Sequence, residues 1–168
     1  GHGRGPPLRS QVDQTIDAID SPEQLGETVA ELRAVEDEAL ADERRSALVL
    51  TGDGMVQGDR LMLRRALNNL LSNALRHTSP GGRVTVTIVR QEGPLLLQVE
   101  NTGETIPAQH LDRLFERFYR VDPARQHAAG EGTGLGLAIT QAILRAHQGE
   151  VSAASAGGRT VFTLRFPY

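Results

Sequence analysis

The chain is 168 residues long, carries 18 basic and 21 acidic residues for a formal charge of −3, and contains no cysteine. That length suits one domain with a real hydrophobic core. The charge implies no general affinity for nucleic acid. The lack of cysteine removes disulfides, thiolate metal sites and thiol catalysis, and fits a reducing compartment.

No apolar run approaches the roughly 20 residues that cross a bilayer, and no signal peptide is visible. The opening "GHGRGPPLRS" is rich in Gly, Pro and Arg and has no periodicity. It reads as a disordered lead-in over residues 1–10, with the folded domain over 11–168. "QTIDAID" is a candidate edge strand. Ser21 can cap a helix, Pro22 suits its first turn, and Gln24 completes a capping box. Leu25, Val29, Leu32, Val35 and Ala39 follow at helical spacing, which predicts a helix to about Arg45. "ALVLTGDG" is a strand and turn, and "MVQGD" a second short strand.

Asp59 can cap the next helix, which runs to about Thr78 and stops at "SPGG". "RVTVTIVR" alternates strictly, "QEGP" turns the chain, and "LLLQVEN" returns it, so an antiparallel hairpin is predicted. A short helix over "AQHLDRLFERF" follows, then a polar Gly/Ala-rich loop, "DPARQHAAGEG". The helix "GLGLAITQAILRAH" stops at Gln148-Gly149. Two strands, "EVSAASA" and "TVFTLRF", join through Gly157-Gly158. This order predicts an α+β fold, a two-layer α/β sandwich with helices on one face of a mixed, mainly antiparallel sheet.

"GEGTGLGLAI", Gly130 to Ile139, has the look of a phosphate cradle. A Walker loop needs Gly-Lys-Ser/Thr, and the chain has no lysine. A dinucleotide fingerprint needs a strand directly before the glycines, and "ARQHAAG" is not one. What remains is a loop feeding a helix N-terminus. There Gly132, Gly134 and Gly136 would let backbone N–H groups approach an anion, aided by the helix dipole. On this stretch alone, a hinge loop before a buried helix explains the glycines equally well.

The helix "LRRALNNLLSNALRHT" carries a polar stripe beside its core face. Asn69, Asn73, Arg76 and His77 fall at i, i+4, i+7 and i+8. Asparagine is a mediocre helix former. A neutral amide oxygen is a hard ligand suited to Mg²⁺ shared with phosphates, and Arg76 can add charge-assisted bonds to phosphate oxygens. A solvated polar face explains each residue singly; the four together favour a site.

These segments converge on a family. "NNLLSNALRHT" resembles an N box, "VENTGETIP" a first glycine box, "LFERFYRVD" an F box, "GEGTGLGLAI" a second glycine box and "GGRTVFTLRFP" a terminal one. In that order and spacing, from about Glu23 to Pro167, the chain resembles the catalytic ATP-binding domain of sensor histidine kinases. The wider superfamily includes gyrase, MutL and heat-shock chaperone ATPases. "VEN" and "FERFYRVDPAR" look most like the heavy-metal-responsive branch.

The resemblance implies a Bergerat-type sandwich that binds ATP and Mg²⁺. Asn73 would hold Mg²⁺ through its amide oxygen and Asn69 would support the phosphates, which with Arg76 makes these the candidate catalytic residues. Arg76 and His77 would face the nucleotide. Asn101 stands where most members have an aspartate that reads the adenine amino group; its amide oxygen can still accept that bond, without charge. Gly103 would let the chain pass under the base, with Ile106 following in the same pocket and Thr160 lining it. Tyr119 and Arg120 would reach the phosphates from the hinge of a lid over about 121–132, whose base Phe115 and Phe118 would anchor in the core. Gly130, Gly132, Thr133, Gly134, Leu135 and Gly136 would surround the phosphates. Thr105 replaces a usual glycine, and Arg159 stands where a glycine is usual.

None of the five histidines is followed by the acidic-Leu-Arg-Thr-Pro run of a phosphoacceptor box. The resemblance therefore implies the ATP-binding half only. Its partners would be the parent's helical dimerisation and phosphoacceptor domain and a cognate response regulator. It would be a cytoplasmic part of a bacterial inner-membrane sensor, with no nucleic-acid partner and no direct membrane contact. Two alternatives stand beside it: a gyrase- or MutL-like ATPase clamp, and a degenerate nucleotide-binding module that signals without catalysis.

Overall fold

The computed structural model describes residues 22–40, 47–119 and 135–167, with only the backbone described at 33–40 and 47. The possible strand at "QTIDAID" and the lead-in lie outside these residues. Pro22–Gln24 forms a short strand, β1, and the first helix, α1 (Leu25–Leu40), starts only after it. The strands β2 (Ala47–Gly52) and β3 (Met55–Gln57) follow, and β1 pairs antiparallel with β3.

This corrects the expected capping box on Ser21 and Gln24. The start of α1 is held from a distant turn. Asp53 Oδ1 accepts from the Gly26 N–H (2.8 Å) and the Gly54 N–H (2.7 Å), and the Leu25 N–H donates to the Gly54 carbonyl (3.0 Å). Gln24 spends its side chain on Asp53 Oδ2. Desolvation pushes the Asp53 carboxyl up, but the hydrogen bonds from Gln24, Gly26 and Gly54 together outweigh it and hold its pKa below the ordinary value.

The second helix, α2 (Arg60–His77), begins as read: Asp59 Oδ1 accepts from the Met62 N–H at 3.0 Å. The hairpin β4 (Arg83–Arg90) and β5 (Leu95–Thr102) comes next, then a single helical turn, α3 (Ala108–Leu111). The predicted helix through Phe118 is thus shorter, and turns carry the chain from Asp112 to Phe118. Helix α4 (Gly136–Ala146) and the strands β6 (Glu150–Ala156) and β7 (Arg159–Phe166) close the fold. The sheet order is β2-β4-β5-β7-β6, with β2–β4 parallel and the other pairs antiparallel. Gly157 and Gly158 both have positive φ, 58° and 78°, which a two-residue hairpin turn requires.

The core lies between the helices and one face of this sheet. Alternation on β4, β5 and β7 buries Val84, Val86, Ile88, Leu95, Leu97, Val99, Phe162, Leu164 and Phe166. From the helices come Leu25, Val29, Leu63, Leu67, Leu70, Leu71, Ile143 and Leu144. A buried histidine fastens α4 to α2. His147 Nε2 accepts from the Asp59 N–H (3.0 Å), while its Nδ1 bonds the Ile143 carbonyl (2.8 Å), which selects the Nδ1-protonated tautomer.

Candidate functional site

Cross-strand register places a polar row at the end of the apolar ones. Leu97 pairs with Leu164 and Val99 with Phe162; one step further, Asn101 pairs with Thr160. Val84 flanks Asn101 on β4 and Ser155 flanks Thr160 on β6. Asn101 and Thr160 are each only 3% exposed. Burying such groups is costly unless they are bonded. Thr160 Oγ1 meets Ser155 Oγ at 2.9 Å, and Ser155 Oγ also accepts the Ile106 N–H at 2.8 Å. Asn101 Nδ2 donates to the Thr102 carbonyl at 3.4 Å, which leaves Oδ1 as the atom able to accept.

The turn after β5 is pressed against the end of α2. A Cβ at Gly103 would stand 2.3 Å from the His77 carbonyl oxygen, so only glycine fits without displacing backbone. The Gly103 N–H donates to the Gly158 carbonyl (2.9 Å), and the Gly158 N–H donates to Thr105 Oγ1 (2.8 Å). Thr105 thus serves as a clasp between the glycine box and the last hairpin. Arg159 is exposed.

The asparagine stripe lies where α2 meets the start of α4. Asn69 Nδ2 donates to the Gly136 carbonyl (3.2 Å), which also accepts from Thr140 Oγ1 (2.9 Å). Leu135 occupies the N-cap of α4 and has no capping side chain, so the positive end of this helix lies beside Asn69. One turn along α2, Asn73 is half-buried; Arg76 is half-buried and His77 exposed in the last turn. The positive charge of Arg76 suits that helix end.

Tyr119 belongs to a separate cluster. Its hydroxyl bonds His110 Nδ1, its ring lies 4.4 Å beneath the Arg113 guanidinium, and Arg113 pairs with Glu116 at 2.9 Å. Phe115 packs edge-on against Phe162, with ring centroids 6.1 Å apart, as an anchor should. Phe118 does not: it is 67% exposed with φ of 66°. The positive φ turns its side chain out of the core, which corrects the expected pair of anchors. Arg120, Gly130, Gly132, Thr133 and Gly134 lie outside the described residues, so of the candidate site residues in the second glycine box the structure describes Leu135 and Gly136. Sequence reasoning did not find Ser155, and treated Thr105 only as a departure.

Among the described residues no helix is long and apolar enough to cross a membrane. Residues 58–168 match the family of histidine kinase-, DNA gyrase B- and HSP90-like ATPases. The probable sensor kinase SilS of Salmonella typhimurium is 51% identical over 133 residues, 77% of this chain and 27% of that protein. The sensor histidine kinase CusS of Escherichia coli K12 is 50% identical over 131 residues, again 77% and 27%. The chain therefore spans about a quarter of the length of these relatives. Among solved structures, the mycobacterial sensor histidine kinase MprB superposes with a TM-score of 0.75 at 28% identity, covering 89% of this chain and 97% of that one. The sheet with its polar end row, the asparagine-bearing helix and these matches agree, and the chain belongs to the histidine kinase-, DNA gyrase B- and HSP90-like ATPase family.

Proposed function

We propose that this chain is the ATP-binding half of a sensor histidine kinase, folded over residues 11–168, and that it passes the γ-phosphoryl group of ATP to a histidine nitrogen on a separate helical domain of its parent. The observation that carries this reading is the bond from Asn69 to the Gly136 carbonyl, which seats the first asparagine of the stripe on α2 beside the positive end of α4. A triphosphate there would meet backbone N–H groups and amide side chains together. Asn101 and Thr160 would take the adenine, with Gly103 and Ile106 forming the turn beside it. Arg76, His77 and Arg120 would face the phosphates.

The donor set fits Mg²⁺ held largely by phosphates. Among the described residues, no three His, Asp or Glu side chains gather to cage a metal. Asn73 offers one half-buried amide oxygen of the hard type that Mg²⁺ accepts. Bound Mg²⁺ would offset charge on the phosphates during transfer. The transfer itself forms a nitrogen–phosphorus bond as the bridging oxygen leaves with ADP. No glutamate occurs on α2 to activate water, which weighs against an ATPase clamp. The clasp made by Thr105 supports an intact pocket over a degenerate one. The partners would be the parent's phosphoacceptor helices and a response regulator, at the cytoplasmic face of an inner-membrane sensor.

The test is transfer in trans. The chain is mixed with ATP labelled at the γ-phosphate and the separately made helical domain of its parent. Acid-labile label on that domain's histidine, lost in Asn73→Asp and absent from the chain alone, is the expected result. Wild-type transfer by Asn73→Asp would remove Asn73 from the mechanism, and no transfer by the wild type would refute the kinase reading.

A further inference from the structure

We infer that Ser155 positions the hydroxyl of Thr160 and thereby sets which nucleobase the pocket accepts. The inference rests on the nucleotide-binding reading above and deepens it. Ser155 lies at the end of the inward-facing row Val84, Asn101, Thr160, Ser155, one residue from each of four strands. Its hydroxyl has two polar partners with different demands. The Ile106 N–H, at 2.8 Å, can only donate, so it occupies a lone pair of Ser155 Oγ. Ser155 Oγ then keeps one lone pair and one proton, and either hydroxyl can donate across the 2.9 Å to Thr160 Oγ1; the proposed polarity is the one in which Ser155 donates. Thr160 becomes the acceptor in that pair and keeps its own proton for a ligand.

The next residue in the row has the opposite character. Asn101 Nδ2 is engaged by the Thr102 carbonyl, so Oδ1 is the acceptor. Asn101 and Thr160 are direct cross-strand partners. Together they present one acceptor and one donor side by side. A base with an amino group beside a ring-nitrogen acceptor, as adenine has at C6 and N1, matches that pair. A 6-oxopurine has a carbonyl beside an N1–H and presents the reverse pattern. A base that leaves buried polar groups unpaired binds more weakly by the cost of those groups. The order of donor and acceptor in the row is therefore a specificity device, and Ser155, held by the Ile106 backbone, fixes its polarity. The Gly103–Gly158 and Gly158–Thr105 bonds keep the Ile106 segment against β6, so that polarity does not depend on one contact.

The test is titration calorimetry of the chain with ATP and with ITP, whose base is a 6-oxopurine, alongside urea unfolding. Wild type should prefer ATP. Ser155→Ala should lose roughly three- to tenfold in ATP affinity, the worth of one hydrogen bond, and should lose little for ITP, so the ATP:ITP ratio falls. Ser155→Thr, which keeps the hydroxyl, should restore the ratio. Ser155→Cys, with a weak donor, should fall between and carries the test if the alanine variant does not fold. An unchanged ratio in Ser155→Ala or Ser155→Cys, including an equal loss for both nucleotides, would overturn the inference and leave the nucleotide-binding reading standing. Failure of the wild type to bind ATP would overturn that reading and this inference with it.

Discussion

Gly103→Ala separates a glycine that the fold needs from one that it does not. The new Cβ would stand 2.3 Å from the His77 carbonyl oxygen and 3.3 Å from Asn101 Nδ2. An ordinary carbon–oxygen contact is about 3.3 Å or more, so a gap of about 1 Å must open. Both sides are backbone and both are tied down. Gly103 bonds Gly158, and the Ser79 N–H donates to the Thr102 carbonyl at 3.2 Å. Overpacking of this kind costs about 1–3 kcal/mol. If the turn yields, Asn101 moves relative to the end of α2, and ATP affinity should fall by about tenfold or more, since 1.4 kcal/mol is a factor of ten. The control is Gly136→Ala, where the added Cβ comes no closer than 3.8 Å to Asn69. Alanine there should leave stability unchanged or raise it by up to about 1 kcal/mol. Urea unfolding at constant m-value reads the stability, and calorimetry with ATP reads the affinity. Wild-type stability and affinity in Gly103→Ala would refute the argument from close approach.

Three further outcomes follow from the same geometry. Asp53→Ala should destabilise by about 1 kcal/mol, through lost capping of α1. Because the folded pKa of Asp53 lies below its ordinary value of 3.8, that contribution is full above 3.8 and is lost as pH falls through the folded pKa; a wild-type-minus-mutant difference that grows in acid would contradict it. His147→Ala removes the acceptor for the Asp59 N–H and a buried ring, and should cost about 2 kcal/mol or more by thermal or urea unfolding; a neutral result would deny it a fastening role. Phe115→Ala should lower stability by about 1–3 kcal/mol, while Phe118→Ala should stay within about 0.5 kcal/mol. Equal losses in the two would mean that Phe118 is packed after all.

Much of the fold is legible because it rests on local chemistry. The alternation of Val84, Val86 and Ile88 sets β4, Asp59 sets the start of α2, and Gly157-Gly158 sets the last turn. What escapes local reading depends on distant partners. The start of α1 is capped by Asp53, 27 residues beyond Gly26, and the parallel pairing of β2 with β4 has no signature in either strand. The turns after α3 follow a helical pattern in sequence, yet Phe118 leaves it through a positive φ.

The asparagine stripe is visible from spacing alone, and its contact with Gly136 is tertiary. Ser155 sits in a run of alanine and serine with no motif. It could have been found from register, since a two-residue turn at Gly157-Gly158 pairs Ala156 with Arg159 and then Ser155 with Thr160. The glycine box departure at Thr105 has a reason that only the neighbouring hairpin supplies.

The most direct test of the account is a calorimetric titration of this chain with ATP, with and without Mg²⁺, and with GTP as the control. Saturable binding that prefers ATP and responds to Mg²⁺ is the expected result. Undetectable ATP binding, or equal binding of GTP, would contradict the assignment of the Asn101–Thr160 row and the asparagine stripe to a nucleotide.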